Sequence, residues 1–489
     1  MSRRQYRWGV VGWLLLATSL ASAQMVKDPT LAVKEIVSGL SGPTAMAFIG
    51  PNDILVLQKH DGTVRRVLNG VLLSGAVLDV AVDQASERGL LGIALHPTFP
   101  VAPWVYLYYT ESGAAGDTSG SPPPVANRIY RFSWNGQTLV DPTLILNLPA
   151  LPGPNHNGGA LTFGPDGKLY AVIGDLNHNG QLQNVPGGPP ADDTSVIIRL
   201  NDDGTVPSDN PFFTQGGNLQ RYYAYGIRNS FGLAFDPLTA RLWMTENGPS
   251  TYDEINLVGP GFNSGWVPIR GPLARSAQGT DSLFQLPGSS YADPKFSWFD
   301  TVAPTALLFL NSPRLGGAYV NDLFVGDINS GNLYRFRLTP TRDGISLANP
   351  GLADLVADPA DDAQEISFGA DFGGITDLKI GPDGRLYVLS FEGTIFAVSQ
   401  EFATLHGTVT DGVTGLTLDG VVVRCRRLDP PSSSCASMST DAAGAYALSG
   451  LYGGRYRVSF SRAGYRTRWR TLQLPAGEAT ALDVSLPPR

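Results

Sequence analysis

Two loop segments carry side chains suited to acid–base and anion-binding chemistry. The first, "NHNGG", places His156 between two asparagines and ahead of a Gly-Gly pair. A histidine whose pKa is near its ordinary value of about 6.5 can act as a general base at neutral pH. The second segment, "GIRNS", offers Arg228 as a fixed cation for an anionic ligand. Taken singly, His156 could equally be a hydrogen-bonded loop histidine, and Arg228 a structural ion-pair residue.

A third segment, "TENGPSTYDEINL", has the character of a cation-binding loop. The carbonyl groups of Gly248 and Pro249 could point at a hard cation such as calcium, which prefers oxygen ligands. Asp253 and Glu254 would add carboxylate oxygens. A further charged segment, "SERGLLG", places Glu87 ahead of an apolar run. Residues so far apart in the chain can form one site only if the fold brings their loops together.

Six strand-turn-strand units recur along the chain and predict such a fold. Most have an apolar strand, a turn rich in Pro, Asn, Asp or Gly, and a second strand that ends in small or acidic residues. The units begin at Ala45, Leu91, Pro154, Phe231, Pro304 and Gly373. One unit cannot bury both of its faces, whereas a closed ring of six can, and it leaves few free edges. We therefore predict an all-β fold in which residues 30–400 form a six-bladed β-propeller, with a pair of β-sandwiches as the alternative.

The character of the sequence changes after Gln400. Short alternating strands with glycine turns predict a small β-sandwich over residues 403–489. The stretch "TDAAGAYALSGLYGGRYRV" resembles the carboxypeptidase-regulatory-like module, which usually serves stability, spacing or interaction. Arginines cluster there, which is typical of a solvated face but also allows contact with an anionic surface. Cys425 and Cys435 both lie in this segment and could pair in an oxidising compartment.

Charge and composition exclude some classes of function. The 489-residue chain has a net charge of -8, whereas nucleic-acid-binding proteins are usually basic, so we expect no nucleic-acid partner. The main body contains no cysteine, which excludes cysteine-based catalysis or cysteine zinc sites there. The abundance of glycine, 57 residues, and proline, 37 residues, favours many short strands over long helices.

The first residues have the pattern of an export signal. Three arginines precede an apolar run from Gly9 to Leu16, and the small-residue sequence "ASA" before Gln24 is a typical cleavage site. The apolar run is too short to span a bilayer, and no later segment is apolar enough to do so. We therefore predict a signal peptide over residues 1–23, no transmembrane segment, and a periplasmic or extracellular location. The twin-arginine and general export routes both stay open.

Four segments in chain order resemble a known family. They read "SERGLLGIALHPTFP", "NHNGGALTFGPDGKLYAVIGD", "YGIRNSFGLAFDP" and "TENGPSTYDEINL". Together they resemble the glucose/sorbosone dehydrogenase family, relatives of the soluble quinoprotein sugar dehydrogenases, over residues 35–400. The resemblance implies a six-bladed propeller that binds pyrroloquinoline quinone (PQQ) and calcium. It also implies oxidation of a sugar hydroxyl by hydride transfer to the quinone.

The resemblance implies a role for the candidate residues of the three loops. His156 would take the proton from the anomeric hydroxyl of the sugar. Arg228 and Asn229 match a pair that contacts the cofactor. Gly248 and Pro249 match backbone ligands of the calcium ion.

Two further residues would lie near the substrate, and three positions depart from the family pattern. Asn155 stands where the quinoprotein enzymes carry an acid beside the histidine, and Glu87 stands where they carry a polar residue. Those enzymes also hold the quinone with a lysine and two arginines, which are replaced here by Asn329, Gly374 and Thr376. The loss of three cations should weaken the binding of a group that carries three carboxylates.

Two functions from different classes follow from these observations. The first hypothesis is an exported, quinone-linked and calcium-assisted aldose dehydrogenase that acts on a small sugar with His156 as base, its electron acceptor being left open. The alternative is a non-catalytic propeller with a degenerate PQQ site that binds carbohydrate or a protein partner. A calcium-dependent lactonase also occurs on six-bladed propellers, but the sequence offers no convincing set of side-chain ligands for it.

Overall fold

The computed structural model describes residues 25–429 and 436–489. Nearly all of the regular structure in these ranges is β-strand, which confirms the all-β prediction. The predicted signal peptide and Cys435 lie outside the described residues. Within the described ranges, no helix has both the length and the apolar character needed to cross a membrane.

Most strands belong to the part of the chain before residue 401. Their bounds are β1 Leu31–Val37, β2 Pro43–Gly50, β3 Asp53–Gln58, β4 Thr63–Leu68, β5 Val71–Leu72, β6 Leu78–Asp79, β7 Leu90–Leu95, β8 Trp104–Glu111, β9 Ala126–Trp134, β10 Leu139–Leu148, β11 Leu161–Phe163, β12 Leu169–Ile173, β13 Val196–Leu200, β14 Tyr222–Tyr225, β15 Leu233–Phe235, β16 Leu242–Glu246, β17 Thr251–Val258, β18 Phe262–Asn263, β19 Ser290–Tyr291, β20 Phe296–Asp300, β21 Pro304–Phe309, β22 Leu323–Asp327, β23 Leu333–Leu338, β24 Ile345–Ser346, β25 Val356–Ala357, β26 Ser367–Gly369, β27 Ile375–Ile380, β28 Leu386–Ser390 and β29 Ile395–Gln400.

The remaining strands follow residue 401, and short 3-10 helices lie in the loops. The strands are β30 Phe402–Asp411, β31 Val422–Arg427, β32 Ser437–Ser439, β33 Ala445–Tyr452, β34 Gly454–Ser461, β35 Arg468–Leu474, β36 Ala479–Ala481 and β37 Val484–Leu486. The 3-10 helices are Gln181–Gln183, Phe213–Gln215, Gly217–Arg221, Leu273–Arg275, Thr280–Ser282, Pro313–Leu315, Gly317–Tyr319, Pro350–Leu352 and Ala363–Glu365.

The described residues before 401 form six sheets. We call the edge strand at one end of each sheet its first strand, and these strands are β2, β7, β11, β15, β21 and β27. Each unit of the sequence repeat supplies the first two strands of one sheet. In the last sheet the N-terminal strand β1 pairs antiparallel with β29, so that Leu31 lies opposite Gln400. Strand β1 therefore completes the last sheet and covers an edge that would otherwise be free.

The middle strands are buried on both faces because a neighbouring sheet packs against each side. In β12, Leu169, Ala171 and Ile173 join one hydrophobic cluster, whereas Tyr170 and Val172 join a second. Alternate residues of a strand point to opposite faces, so the two clusters lie on opposite sides of the sheet. Burial of each larger side chain stabilises the fold by about 1.5–3 kcal/mol. This double burial accounts for the nearly continuous apolar character of β12.

The first strands of all six sheets line one shared cavity of about 590 Å³. Each strand contributes a residue to the lining, in chain order Thr44, Leu91, Leu161, Leu233, Thr305 and Asp377. The strands approach closely at this point, and a Cβ added to Gly92 would lie 1.9 Å from the carbonyl oxygen of Gly159. The loops that carry Glu87, His156 and Arg228 lead into β7, β11 and β15, whereas Gly248 and Pro249 lie between β16 and β17.

The described residues after Gln400 form two four-stranded sheets around a separate hydrophobic cluster. One sheet contains β30, β33, β36 and β37, and the other contains β31, β32, β34 and β35. Only Glu401 separates β29 from β30. A Cβ added to Gly453 would lie 1.9 Å from the carbonyl oxygen of Pro29, so this part of the chain packs tightly against the segment that precedes β1.

Candidate active site

His156 is held by a carboxylate that the sequence patterns did not single out. Asp175 follows β12, and its Oδ1 lies 2.5 Å from Nδ1 of His156, with both residues buried. Its Oδ2 accepts a hydrogen bond from the indole Nε1 of Trp266 at 2.8 Å. The hydrogen-bond network assigns the Nδ1 proton to the contact with Asp175, so Nε2 is the nitrogen left for acid–base chemistry. Asp175 therefore fixes both the orientation and the tautomer of His156.

The backbone at His156 adopts a conformation that favours glycine. Its φ is 61°, in the left-handed region that non-glycine residues rarely enter. This backbone conformation packs closely against Gly174, which follows β12. A Cβ at Gly174 would lie 2.6 Å from the carbonyl oxygen of His156 and 2.4 Å from that of Arg228. Such strain persists only where the surroundings impose it, and it is concentrated at functional sites.

Glu87 joins the loops that carry His156 and Asn229. Its Oε2 accepts the backbone amide of His156 at 2.7 Å and the side-chain amide of Asn229 at 3.0 Å. Glu87 also lines the shared cavity. The carboxylate of Glu87 therefore connects its own loop to the loops of His156 and Asn229, and the three loops lead into three different sheets.

Arg228 contacts the predicted calcium loop from the loop that precedes β15. Its Nη1 donates to the carbonyl oxygens of Asn247 at 2.8 Å and Gly248 at 2.9 Å. The guanidinium carbon lies 5.4 Å from the ring centroid of Trp266, a cation–π contact. Burial lowers the pKa of Arg228. Trp266 thus contacts both Asp175 and Arg228 and links the two halves of the site.

The carboxylates that follow the predicted calcium loop point into the protein interior. Asp253 is fully buried and accepts the backbone amides of Gly248 at 2.7 Å and of Val302 and Ala303 at 2.6 Å. Burial raises the pKa of Asp253 to about 6. The expectation that Asp253 adds an oxygen ligand is therefore not supported. Across residues 25–429 and 436–489, no group of three or more His, Cys, Asp or Glu side chains could hold a metal ion.

A lysine that the sequence patterns did not single out lines the cavity next to Glu87. The Nζ of Lys59 donates to the carbonyl oxygens of Ser86 at 2.7 Å and Gln84 at 3.4 Å. Burial lowers the pKa of Lys59 to about 8, an effect that the negative charges of Glu87 and Asp83 partly offset. His60 also lines the cavity, with its ring centroid 6.0 Å from that of Phe391.

Comparison with known proteins determines the family. The family model described as glucose/sorbosone dehydrogenase matches residues 40–396. The chain belongs to this family. A second model, the carboxypeptidase regulatory-like domain, matches residues 404–487. Both resemblances identified in the sequence are therefore confirmed.

Similar proteins named as sugar dehydrogenases align with most of the chain. The aldose sugar dehydrogenase YliI of Escherichia coli strain K12 is 29% identical over 386 residues, which cover 77% of this chain and 94% of the relative. The quinoprotein glucose dehydrogenase B of Acinetobacter calcoaceticus is 27% identical over 407 residues, with coverage of 68% and 84%. The solved PQQ-bound form of aldose sugar dehydrogenase from Streptomyces coelicolor is 26% identical, with a TM-score of 0.55 and coverage of 76% and 98%. These similarities support a sugar dehydrogenase-like oxidoreductase.

The positions that depart from the glucose/sorbosone dehydrogenase pattern differ in their surroundings. Asn329 and Thr376 line the cavity as uncharged residues. Gly374 is not among the lining residues, and its amide donates to Oε2 of Glu392 at 2.7 Å. Lys379, in the same sheet, does line the cavity, where its Nζ lies 2.8 Å from Oδ1 of Asp377. The cavity of this family member therefore has cations, but at other positions.

The remaining candidates lie at the margin of the site. The Oδ1 of Asn155 accepts a hydrogen bond from the Ser86 hydroxyl at 2.5 Å, and Asn155 does not line the cavity. Pro249 is exposed and borders a small pocket beside Arg228.

Asp175 ends the segment "VIGD", and its position after an apolar strand is the one signal that could have singled it out. Trp266 carries no such signal, because it lies 91 residues from Asp175 in the chain.

Proposed function

We propose that this chain is an exported aldose dehydrogenase that oxidises a sugar hydroxyl, with a quinone as hydride acceptor and calcium as an aid. The observation that carries the proposal is the buried Asp175–His156 pair, whose imidazole is oriented by a carboxylate and whose strained backbone donates a hydrogen bond to Glu87, a residue that lines the cavity. His96 and His178 also contact aspartates, but their side chains are 16% and 25% exposed and neither has a positive φ, so burial and backbone strain distinguish His156. Membership of the glucose/sorbosone dehydrogenase family adds the substrate class.

The proposed scaffold is a six-bladed β-propeller over residues 30–400, followed by a small β-sandwich over residues 403–489. Its support is that six sheets, each contributing its first strand, line one cavity, and that β1 completes the last sheet. Loops between blades converge at one end of such a ring, where side chains from distant segments can form one site.

In the proposed reaction His156 acts as the general base. Its Nε2 would accept the proton of the sugar hydroxyl, and a bound quinone would supply the acceptor for the hydride of the carbon–hydrogen bond. The imidazolium that forms is stabilised by the carboxylate of Asp175 at 2.5 Å from Nδ1. Glu87 holds the backbone of His156 in place through its 2.7 Å contact, and Asn155 would lie at the edge of the substrate site.

The residues present fit a quinone cofactor in size and in part of its charge. A cavity of about 590 Å³ lies in the range of small-molecule sites, and the buried Oδ1 of Asn247, which lines it, has no partner among the described residues. Lys59, Lys379 and, at the margin, Arg228 with Asn229 would hold the carboxylates and the quinone oxygens. When bound, PQQ would accept the hydride, with calcium polarising its carbonyl. The carbonyl oxygens of Gly248 and Pro249 would ligate calcium, although that of Gly248 already accepts Arg228 at 2.9 Å.

The second candidate function is a non-catalytic propeller that binds carbohydrate or a protein partner. The uncharged lining at Asn329 and Thr376 favours it, as do the two carboxylates of Glu87 and Asp377, which would repel the carboxylates of PQQ. The two functions differ in whether the cavity takes up the quinone.

The test is a titration of the full-length protein with PQQ and calcium, in which binding is monitored by the quenching of tryptophan fluorescence. Turnover is then measured as dye reduction with aldoses. We expect saturable quenching at micromolar PQQ. The variant His156→Gln should retain the quenching and lose about 10²–10⁴-fold in turnover. His406→Gln, in β30, is the matched control and should leave both readouts unchanged. Absence of quenching would overturn the quinone proposal, and full turnover in His156→Gln would overturn the base assignment.

A further inference from the structure

One sheet of the C-terminal part carries arginines and a tryptophan on its solvent-facing side. In the order β32-β31-β34-β35, Arg426 of β31 lies directly opposite Arg457 of β34. Arg424 lies opposite Ser459, which in turn lies opposite Trp469 of β35. With Arg455, two residues before Arg457, these side chains share one face of the sheet. We call Arg424, Arg426, Arg455, Arg457 and Trp469 the arginine face.

The arginine face is not needed to build the core. The alternate residues Val423, Cys425, Tyr456 and Val458 of the same strands point inward and form part of the hydrophobic cluster between the two sheets. The arginines that alternate with them are exposed. The fold would therefore be satisfied by any polar residues at these outward positions.

The concentration of positive charge on this face opposes stability. Like charges directly opposite each other on neighbouring strands are unfavourable, and Arg426 and Arg457 are such a pair. In the described part of the chain, no ion pair includes Arg424, Arg455 or Arg457. Residues 403–489 contain ten arginines and no lysine against six acidic residues, in a chain whose net charge is -8. The positive charge is thus gathered on one part of an acidic protein.

Trp469 adds an exposed aromatic surface to this charge. Its exposed fraction is 52%, and the guanidinium carbon of Arg457 lies 4.5 Å from its ring centroid. One side of the indole is therefore covered by Arg457, which fixes the ring and leaves its other side for a ligand. An apolar ring face beside hydrogen-bond donors suits the apolar faces and polar edges of sugar rings.

We propose that the arginine face binds an acidic polysaccharide, whose carboxylates pair with the guanidinium groups and whose sugar rings stack on Trp469. Guanidinium groups bind carboxylates in a bidentate manner, which favours arginine over lysine, as found here. Neighbouring strands lie about 4.8 Å apart and alternate residues of a strand about 6.6 Å apart, so the cations form an array suited to a repeating anion. Single-stranded nucleic acids are bound through several stacked aromatic side chains, whereas the arginine face has one.

The test compares two double variants of the full-length protein that lose the same charge from the two sides of the sheet. Arg455→Gln/Arg457→Gln removes two cations from the arginine face. Arg468→Gln/Arg470→Gln removes two exposed cations of β35 that lie opposite Phe460 and Val458 and therefore on the other side. Affinity for polygalacturonate at physiological salt, with neutral dextran for comparison, is measured by affinity electrophoresis and calorimetry.

We expect the first double variant to bind polygalacturonate at least about tenfold more weakly, with less than about threefold change in the control. Trp469→Ala should also weaken binding, and dextran should not bind. Equal weakening of both double variants would overturn the proposal, since it would show unspecific attraction. Tighter binding to single-stranded DNA or to phosphatidylglycerol vesicles than to polygalacturonate would overturn it as well. Thermal unfolding confirms that each variant is folded.

Discussion

At the scale of single residues, Asp175 determines which nitrogen of His156 is available. Asp175→Asn removes the charge that would stabilise the imidazolium of the proposed base, while a polar side chain remains between Nδ1 of His156 and Nε1 of Trp266. We expect turnover to fall by about 10²-fold or more, with little change in KM and a shifted pH profile. Steady-state kinetics of the reconstituted enzyme over a range of pH measures this. An unchanged turnover with a raised KM would assign Asp175 to substrate binding instead.

Lys59 gives the site a pH dependence that can be measured without activity. Its pKa is lowered by burial to about 8 from the ordinary value of 10.5, so the native state binds fewer protons than the unfolded state between these values. Its contribution to stability is therefore fully present above pH 10.5 and is lost as the pH falls through about 8.

The carboxylate of Glu87 raises the pKa of Lys59, so Glu87→Gln should lower it further. NMR titration of the protein with isotopically dimethylated lysines follows the Lys59 resonance directly. Glu111→Gln, which removes a carboxylate paired with Arg128 elsewhere, is the matched control and should leave the resonance unchanged. A higher pKa of Lys59 in Glu87→Gln would contradict the placement of these two side chains.

At the scale of strands and loops, the site depends on the close approach of two strand ends. Gly174→Ala would place a Cβ 2.4 Å from the carbonyl oxygen of Arg228 and 2.6 Å from that of His156. We expect the free energy of unfolding to fall by about 1–3 kcal/mol or more, together with loss of activity, because the contacts are with backbone that cannot move independently. Urea unfolding and dye reduction measure the two effects.

A matched control for this clash is available in the loop that follows. A Cβ added to Gly187 meets no atom within 4 Å, and Gly187→Ala should leave stability within about 0.5 kcal/mol of the parent. Equal stability of the two variants would show that the loops of His156 and Arg228 are not packed as described.

At the scale of the whole molecule, strand β1 links the two ends of the six-sheet region. Leu31→Ala should cost about 2–5 kcal/mol, because Leu31 is 2% exposed and packs in a cluster with residues of the fifth and sixth sheets. Lys34→Ala on the same strand removes an exposed side chain and should cost less than about 1 kcal/mol. Chemical unfolding of both variants measures the difference. Similar values would mean that β1 contributes little to the closure of the structure.

The repeat of strand-turn-strand units was sufficient to predict the β-class and the start of each sheet. The reason is that alternation, turn residues and apolar strands are local properties, and each unit shows them within one short stretch. The family was likewise carried by short motifs around His156, Arg228 and Gly248. The structure brings these loops together through the contacts of Glu87 and Arg228, while their identification as a site and the roles of their residues stay predictions.

Several partners of these residues were decided by the tertiary structure. The contact of Asp175 with Trp266 joins two distant segments of one sheet, and the approach of Glu87 to Asn229 joins loops of different sheets. Lys59 lines the cavity together with residues of the other sheets. No local pattern encodes such contacts, because they depend on the order and packing of whole sheets. The sequence by itself therefore determined the strands, the loops and the family. The hairpin of β11 and β12 already brings Asp175 to the end at which His156 lies, whereas only the assembled sheets decided that Glu87 and Asn229 meet there and where the cations of the cavity lie.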